Sequence, residues 1–83
     1  MSKYSKERLD KVWDKGQTVR NKNPDLYRKD REGNIMYRAS YGKLTPMGWE
    51  IDHSKPKSKG GTDHLNNLQP MNPSANRRKG DDY

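Results

Sequence analysis

The sequence contains no cysteine and no phenylalanine, and only 27% of its 83 residues are hydrophobic. Without cysteine there is no disulfide and no thiolate metal site, so nothing here indicates an oxidising compartment. No apolar run approaches the roughly 18 residues of a membrane span, and no secretory apolar segment follows the N-terminus. We therefore expect a soluble, cytoplasmic protein without a membrane partner, folded as one small domain over 1–83.

Charged residues, in contrast, are abundant. They make up 35% of the chain, and 18 Lys and Arg against 11 Asp and Glu leave a net charge of +7. Such an excess favours a polyanionic partner, DNA or RNA. A second interpretation stays open on charge alone, namely a solvated lysine-rich surface with no nucleic acid partner. The decision between the two needs a motif.

A dense group of polar motifs occupies residues 48–81. It comprises Gly-Trp-Glu-Ile-Asp-His at 48–53, Ser-Lys-Gly-Gly at 58–61, Asn-Asn-Leu-Gln-Pro at 66–70 and Asn-Arg-Arg-Lys-Gly-Asp at 76–81. Hydrolysis of a phosphodiester requires a water that loses a proton near neutral pH and neutralisation of the phosphate charge. An imidazole, with an ordinary pKa of about 6.5, suits the first task. His53 is therefore the candidate general base.

Two oxygen donors in the same motifs suit a metal ion. Asp52 offers a carboxylate and Asn76 a side-chain carbonyl. Hard divalent cations such as Mg²⁺ or Mn²⁺ prefer oxygen ligands and keep several waters, which leaves positions for substrate phosphate oxygens. We predict one divalent cation held by these two residues, with Mg²⁺ or Mn²⁺ preferred and Ni²⁺ or another transition metal also compatible.

The Gly- and Lys-rich loop over 54–66 requires hydrogen bonds to hold it against the preceding strand, and the Asn67 side chain is suited to form them. A short amide with two donors and one acceptor can tie the loop to the His53 strand, so we predict that Asn67 positions the base. Lys57 and Lys59 are predicted to contact phosphates, although a Ser/Lys/Gly loop also fits a flexible connector. His64 is a rival base, which we interpret instead as an exposed polar residue.

These motifs resemble the HNH nuclease family, with its ββα-metal (His-Me) finger. His53, Asn67 and Asn76 match the three signature positions, and Asp52 matches the acidic residue before the histidine. The resemblance implies a hairpin, a loop and one helix around a single divalent ion, and cleavage to 5′-phosphate and 3′-hydroxyl ends. Many relatives carry two cysteine pairs for a structural zinc. This chain has none, so it resembles a compact zinc-free member whose stability must come from packing.

The elements expected from pattern define a small α+β domain. We predict a helix over 6–15 that Ser5 caps, with Trp13 as a core anchor and with a solvated charged face. A connection over 17–25 and a hairpin over 26–38 with a polar turn at 30–34 follow, and together these elements support the finger from within 1–47.

The finger, 48–81, begins with a strand over 49–53, which must end or bulge at about residue 52 if Asp52 and His53 are to reach one ion. A second strand anchored by Leu65 and Leu68 is expected to end at Gln69-Pro70.

A helix over about 73–79 completes the predicted finger. It carries Asn76, and its last turn gathers Arg77, Arg78 and Lys79. These cations complement the negative end of the helix dipole, and they also suit a phosphate beside the metal. We predict that they contribute phosphate contacts.

The sequence therefore predicts an endonuclease that hydrolyses DNA, without excluding RNA. One alternative is a nucleic-acid-binding module that keeps the HNH fold but performs no chemistry. Another is an interaction protein with no nucleic acid partner, whose positive surface faces an acidic protein. A nuclease toxin neutralised by an acidic immunity protein would combine such a surface with catalysis. An inhibitory, phage or host protein partner thus stays open.

Overall fold

The computed structural model describes residues 4–73. Over this range the chain is α+β, as predicted, with one α-helix and two antiparallel sheets. Helix α1 is Lys6–Trp13; strands β1 (Gln17–Thr18), β2 (Tyr27–Lys29) and β3 (Ile35–Tyr37) form one sheet, and β4 (Glu50–His53) and β5 (Leu68–Met71) form the other. None of the helical residues described belongs to a segment able to cross a bilayer.

Helix α1 begins where the capping pattern places it and ends earlier than predicted. The Ser5 hydroxyl accepts a hydrogen bond from the backbone N–H of Arg8 at 3.1 Å, which satisfies one of the unpaired donors of the first turn. The helix ends at Trp13, with Asp14 as its C-cap, rather than at residue 15. Its apolar stripe ends in Val12 and Trp13, which are fully buried.

The predicted hairpin is confirmed, and it gains a strand that the sequence did not reveal. β2 pairs with β3, and β1 pairs with β2 on its other edge, inside the segment predicted to be only a connection. β1 is two residues long and carries no hydrophobic alternation, so pattern analysis had no signal for it. The Arg28 guanidinium supports this edge by donating to the carbonyl oxygens of Asp14 and Gly16.

The hydrophobic core lies between α1, β3 and the β4–β5 hairpin. Its centre is a pair of tryptophans, Trp13 and Trp49, whose ring centroids are 5.1 Å apart at an interplanar angle of 52°. Their indole N–H groups donate to the carbonyl oxygens of Pro24 and Arg38, so both rings are buried with their polar atoms satisfied. Trp13 is thus the predicted core anchor. The core is completed by Val12, Met36 and Leu68.

The β4–β5 hairpin corrects two predictions. β4 runs regularly to His53, its last residue, with Asp52 opposite Gln69 and His53 opposite Leu68, so the strand neither bulges nor ends at residue 52. β5 does not stop at Pro70 but continues to Met71, which an edge strand permits because the missing N–H of proline points away from the partner. Residues 65–67 form a 3₁₀ turn rather than the start of the strand.

A buried polar network joins the two halves of the molecule. The Asp30 side chain, 1% exposed, accepts from the backbone N–H of Glu32 and Asn34 within its own turn and from that of Asn72 at 3.0 Å. The Asn72 amide donates in turn to the carbonyl oxygens of Pro46 and Gly48. Apolar packing was expected to compensate alone for the missing zinc. The structure adds this hydrogen-bonded connection between hairpin and finger.

Two cations of the segment predicted as a helix over 6–15, Arg8 in α1 and Lys15 just past its end, are used internally, against the prediction that this face is merely solvated. The Arg8 guanidinium donates to the carbonyl oxygen of Asp63 at 2.6 Å. The Lys15 ammonium donates to the carbonyl oxygens of Leu65 and Leu68, and its partial burial lowers the pKa of Lys15. The helix and the residue just past its C-cap therefore hold both ends of the 63–68 segment through hydrogen bonds.

Candidate active site

His53, the last residue of β4, lies beside a carboxylate that is distant in sequence. Its Nε2 atom is 2.6 Å from Oδ1 of Asp63, and its side chain is 18% exposed. The second oxygen of Asp63 receives the Lys57 ammonium at 2.8 Å. The hydrogen bonds from His53 and Lys57 lower the pKa of Asp63 to about 2, and Asp63 in turn raises the pKa of Lys57. Asp63 is therefore ionised throughout the physiological range.

Asp52 is directed to the opposite face of β4 from His53, because side chains alternate along a regular strand. It is 9% exposed, and its Oδ2 accepts a hydrogen bond at 2.8 Å from Nε2 of Gln69, its partner across the hairpin. A carboxylate so oriented by a neighbouring amide is a preorganised oxygen donor. Within residues 4–73, no group of three or more His, Asp or Glu side chains is arranged to hold a metal ion.

Asn67 closes the loop that follows β4. Its Oδ1 accepts from the backbone N–H of Lys55 at 2.8 Å, and its Nδ2 donates to the carbonyl oxygens of Lys55 at 3.1 Å and Thr62 at 2.7 Å. Its backbone carbonyl also accepts from the N–H of Ser54 at 2.8 Å. One side chain therefore joins both sides of the loop immediately after His53. Its effect on the base stays a prediction.

The two adjacent glycines make this closed loop possible. Gly60 has φ of +90°, in the left-handed region that residues with a Cβ rarely adopt. At Gly61 a Cβ would lie 1.8 Å from the carbonyl oxygen of Lys55, so the chain can approach itself here only without a side chain. This reversal brings Asp63 back to the end of β4.

The remaining predicted site residues fall into two groups. Lys57 and Lys59 flank the 3₁₀ turn at 57–59; both are exposed, and Lys57 holds Asp63. His64 is exposed, as interpreted. The metal ligand Asn76 and the phosphate contacts Arg77, Arg78 and Lys79 lie outside the described residues, as does the predicted final helix beyond its first residue.

The contact of Asp63 with His53 was not predicted from the sequence. Ten residues separate Asp63 from His53, and no regular periodicity connects a strand end with a loop position. The available signal was the Gly60-Gly61 pair just before it, which indicates a chain reversal toward the preceding strand. Arg8, 55 residues away from Asp63, had no signal at all.

A model of the HNH endonuclease family matches residues 39–82, just over half of the chain. The match includes β4, the loop closed by Asn67 and β5. Comparison with curated proteins and with solved structures gives no significant match. The family match is therefore the finding on which functional assignment depends.

Proposed function

Because the chain belongs to the HNH endonuclease family, we propose that it is a divalent-metal-dependent endonuclease that hydrolyses DNA phosphodiester bonds with His53 as general base. The observation that carries this proposal is the position of His53 at the end of β4. There it follows Asp52 in the chain, whose carboxylate is buried on the opposite face of the strand, and it precedes a loop closed on both sides by Asn67. HNH nucleases generally use a divalent metal, in agreement with these oxygen donors.

The donor set fits a hard divalent cation rather than a thiolate-bound metal. Asp52 supplies a carboxylate held in place by Gln69, and Asn76, by its position in the motif, would supply an amide oxygen. Two oxygen ligands leave most of the coordination sphere to water and substrate, which is how Mg²⁺ and Mn²⁺ usually bind beside phosphates. When bound, the ion supplies positive charge to the scissile phosphate and the departing 3′ oxygen.

The role of His53 is to accept the proton of the attacking water. In an in-line displacement the water approaches the phosphorus from the side opposite the leaving oxygen. Asp52 and His53 leave β4 on opposite faces, so one phosphate could contact both the base and an ion held by Asp52 only beyond the last residue of the strand. The products would be 5′-phosphate and 3′-hydroxyl ends.

Asn67 keeps the base in position by fixing the loop. General-base catalysis requires the acceptor nitrogen within hydrogen-bond reach of the water, so a small displacement of the ring lowers the rate. The three hydrogen bonds of the Asn67 amide restrain the chain on both sides of residues 55–62. Substrate affinity comes from the positive charge of +7, with Lys59 contributing from this same loop.

A nicking assay on supercoiled plasmid tests the proposal. The full chain is incubated with Mg²⁺, Mn²⁺ or Ni²⁺, with EDTA as control, and with single-stranded DNA and RNA as parallel substrates. We expect metal-dependent conversion to the nicked form, abolished in His53→Ala. Binding of DNA without cleavage under every metal would instead identify a non-catalytic nucleic-acid-binding module. Absence of binding would favour a protein partner.

A further inference from the structure

We propose that Asp63 is a positioning residue for catalysis, which holds the His53 ring with its hydrogen on Nε2 and its lone pair on Nδ1. This inference rests on the proposed function, in which His53 is the base. Its structural basis is the contact of 2.6 Å between Nε2 of His53 and Oδ1 of Asp63. The contact lies on a loop that Asn67 closes and that two adjacent glycines allow to return to β4.

The chemistry of the two groups determines which ring nitrogen carries the hydrogen. An ionised carboxylate only accepts hydrogen bonds, whereas a neutral imidazole donates from one nitrogen and accepts at the other. The contact at 2.6 Å therefore requires Nε2 to be the donor, and the lone pair must then be on Nδ1. The hydrogen bonds from His53 and Lys57 also lower the pKa of Asp63 to about 2, so Asp63 stays an acceptor at neutral pH.

Asp63 is itself held by two cations. Lys57 donates to its Oδ2 at 2.8 Å, and the Arg8 guanidinium of α1 donates to its backbone carbonyl at 2.6 Å. The carboxylate therefore has a defined orientation although its side chain is 54% exposed. Through Arg8 the N-terminal helix is connected to the base by a chain of three hydrogen-bonded residues. A loose surface ion pair would lack these restraints on its acidic partner.

The isosteric variant Asp63→Asn keeps the shape of the side chain but replaces one of its two acceptor oxygens by an NH₂ donor. Its amide has one acceptor oxygen, which Lys57 is placed to retain, so the NH₂ group turns toward His53. Nε2 must then accept, and the hydrogen moves to Nδ1. We expect the cleavage rate at saturating DNA to fall about 10²- to 10⁴-fold, the range found when a general base is lost or its tautomer is reversed. DNA affinity measured in EDTA should change little.

The ¹⁵N chemical shifts of the His53 ring report the tautomer directly. They are measured on the metal-free full chain about two pH units above the ordinary imidazole pKa of about 6.5, in a His64→Gln background that leaves one histidine. We expect Nε2–H in the parent and in Asp63→Glu, and Nδ1–H in Asp63→Asn. Adding Lys57→Met to Asp63→Asn frees the amide oxygen for His53, which should restore Nε2–H. Asp25→Asn, an exposed substitution with the same charge change, is the matched control.

The outcomes separate this inference from the proposed function. If Asp63→Asn keeps Nε2–H and cleaves at the parent rate, Asp63 is only a surface ion-pair partner and the inference is wrong. A fall in rate without a change of tautomer also overturns it, because Asp63 would then act on the loop or on the substrate. If the parent cleaves nothing with any metal, the nuclease proposal fails, yet the ring shifts still decide whether Asp63 sets the tautomer.

Discussion

Asp30 and Asp63 both close short loops, but different hydrogen-bond donors surround them. Asp30 is 1% exposed and accepts from backbone N–H groups and the Asn34 amide. Asp63 is half-exposed and accepts from a histidine and a lysine, side chains whose charge depends on pH. A carboxylate buried among neutral donors fixes the architecture. One at the surface beside an imidazole can direct proton transfer while the ring keeps contact with solvent.

Among the residues that contact Asp63, we expect substitution of His53 to have the largest effect on cleavage. His53→Ala should lower the rate of plasmid cleavage about 10²- to 10⁴-fold, because it removes the proposed acceptor of the water's proton. The free energy of unfolding and the DNA affinity should change little, since the ring lies outside the core cluster. His64→Ala, at an exposed position, is the matched control and should cleave normally. Parallel losses of folding and affinity would identify His53 as a structural residue.

Substitution of Asp30, in contrast, should lower the stability of the fold. Asp30→Ala removes the acceptor of buried donors in the turn and of the Asn72 N–H, and it should lower the free energy of unfolding by about 2–4 kcal/mol. Urea unfolding measures this. Asp25→Ala, at an exposed site, should stay within about 0.5 kcal/mol of the parent. If both substitutions changed the free energy of unfolding equally, the buried hydrogen bonds of Asp30 would contribute nothing to stability.

Asn67→Ala should affect both properties, but activity more. Loss of its three side-chain hydrogen bonds should reduce cleavage about 10- to 100-fold through displacement of the base. The same loss should lower the free energy of unfolding by about 1–2 kcal/mol. Asn66→Ala, the exposed neighbour, controls for the loss of an amide. A stability loss with unchanged cleavage would place Asn67 with Asp30, among residues that serve architecture alone.

The smallest effect concerns acid stability. The pKa of Asp63 is about 2 in the fold against 3.8 ordinarily, so its charged form stabilises the fold above about pH 4. This contribution is lost as the pH falls toward 2. The difference in unfolding free energy between the parent and Asp63→Asn should therefore shrink between about pH 5 and pH 2. It should also shrink with added salt, since the side chain is half-exposed. A difference independent of pH would contradict the ion pair.

Local patterns predicted the elements whose residues lie close together in the chain. The Ser5 cap, the apolar stripe ending in Trp13 and the hairpin with its turn at 30–34 all follow from spacing and turn chemistry. The regular end of β4, the extension of β5 through Pro70 and the strand β1 did not. Each of these features depends on pairing with a partner strand, because a residue with weak β propensity becomes part of a strand only where a partner is present.

The sequence by itself determined the family and the chemical groups: an imidazole beside a carboxylate, a bracing amide and an excess of positive charge. These features depend on residue types and on their spacing along the chain, and both can be taken directly from the sequence. Only the tertiary structure decided which charges meet, because Arg8, Lys57 and His53 reach Asp63 from three separate parts of the chain. Such contacts arise where loops return to the core. Their geometry depends on the packing of the whole domain rather than on any local preference.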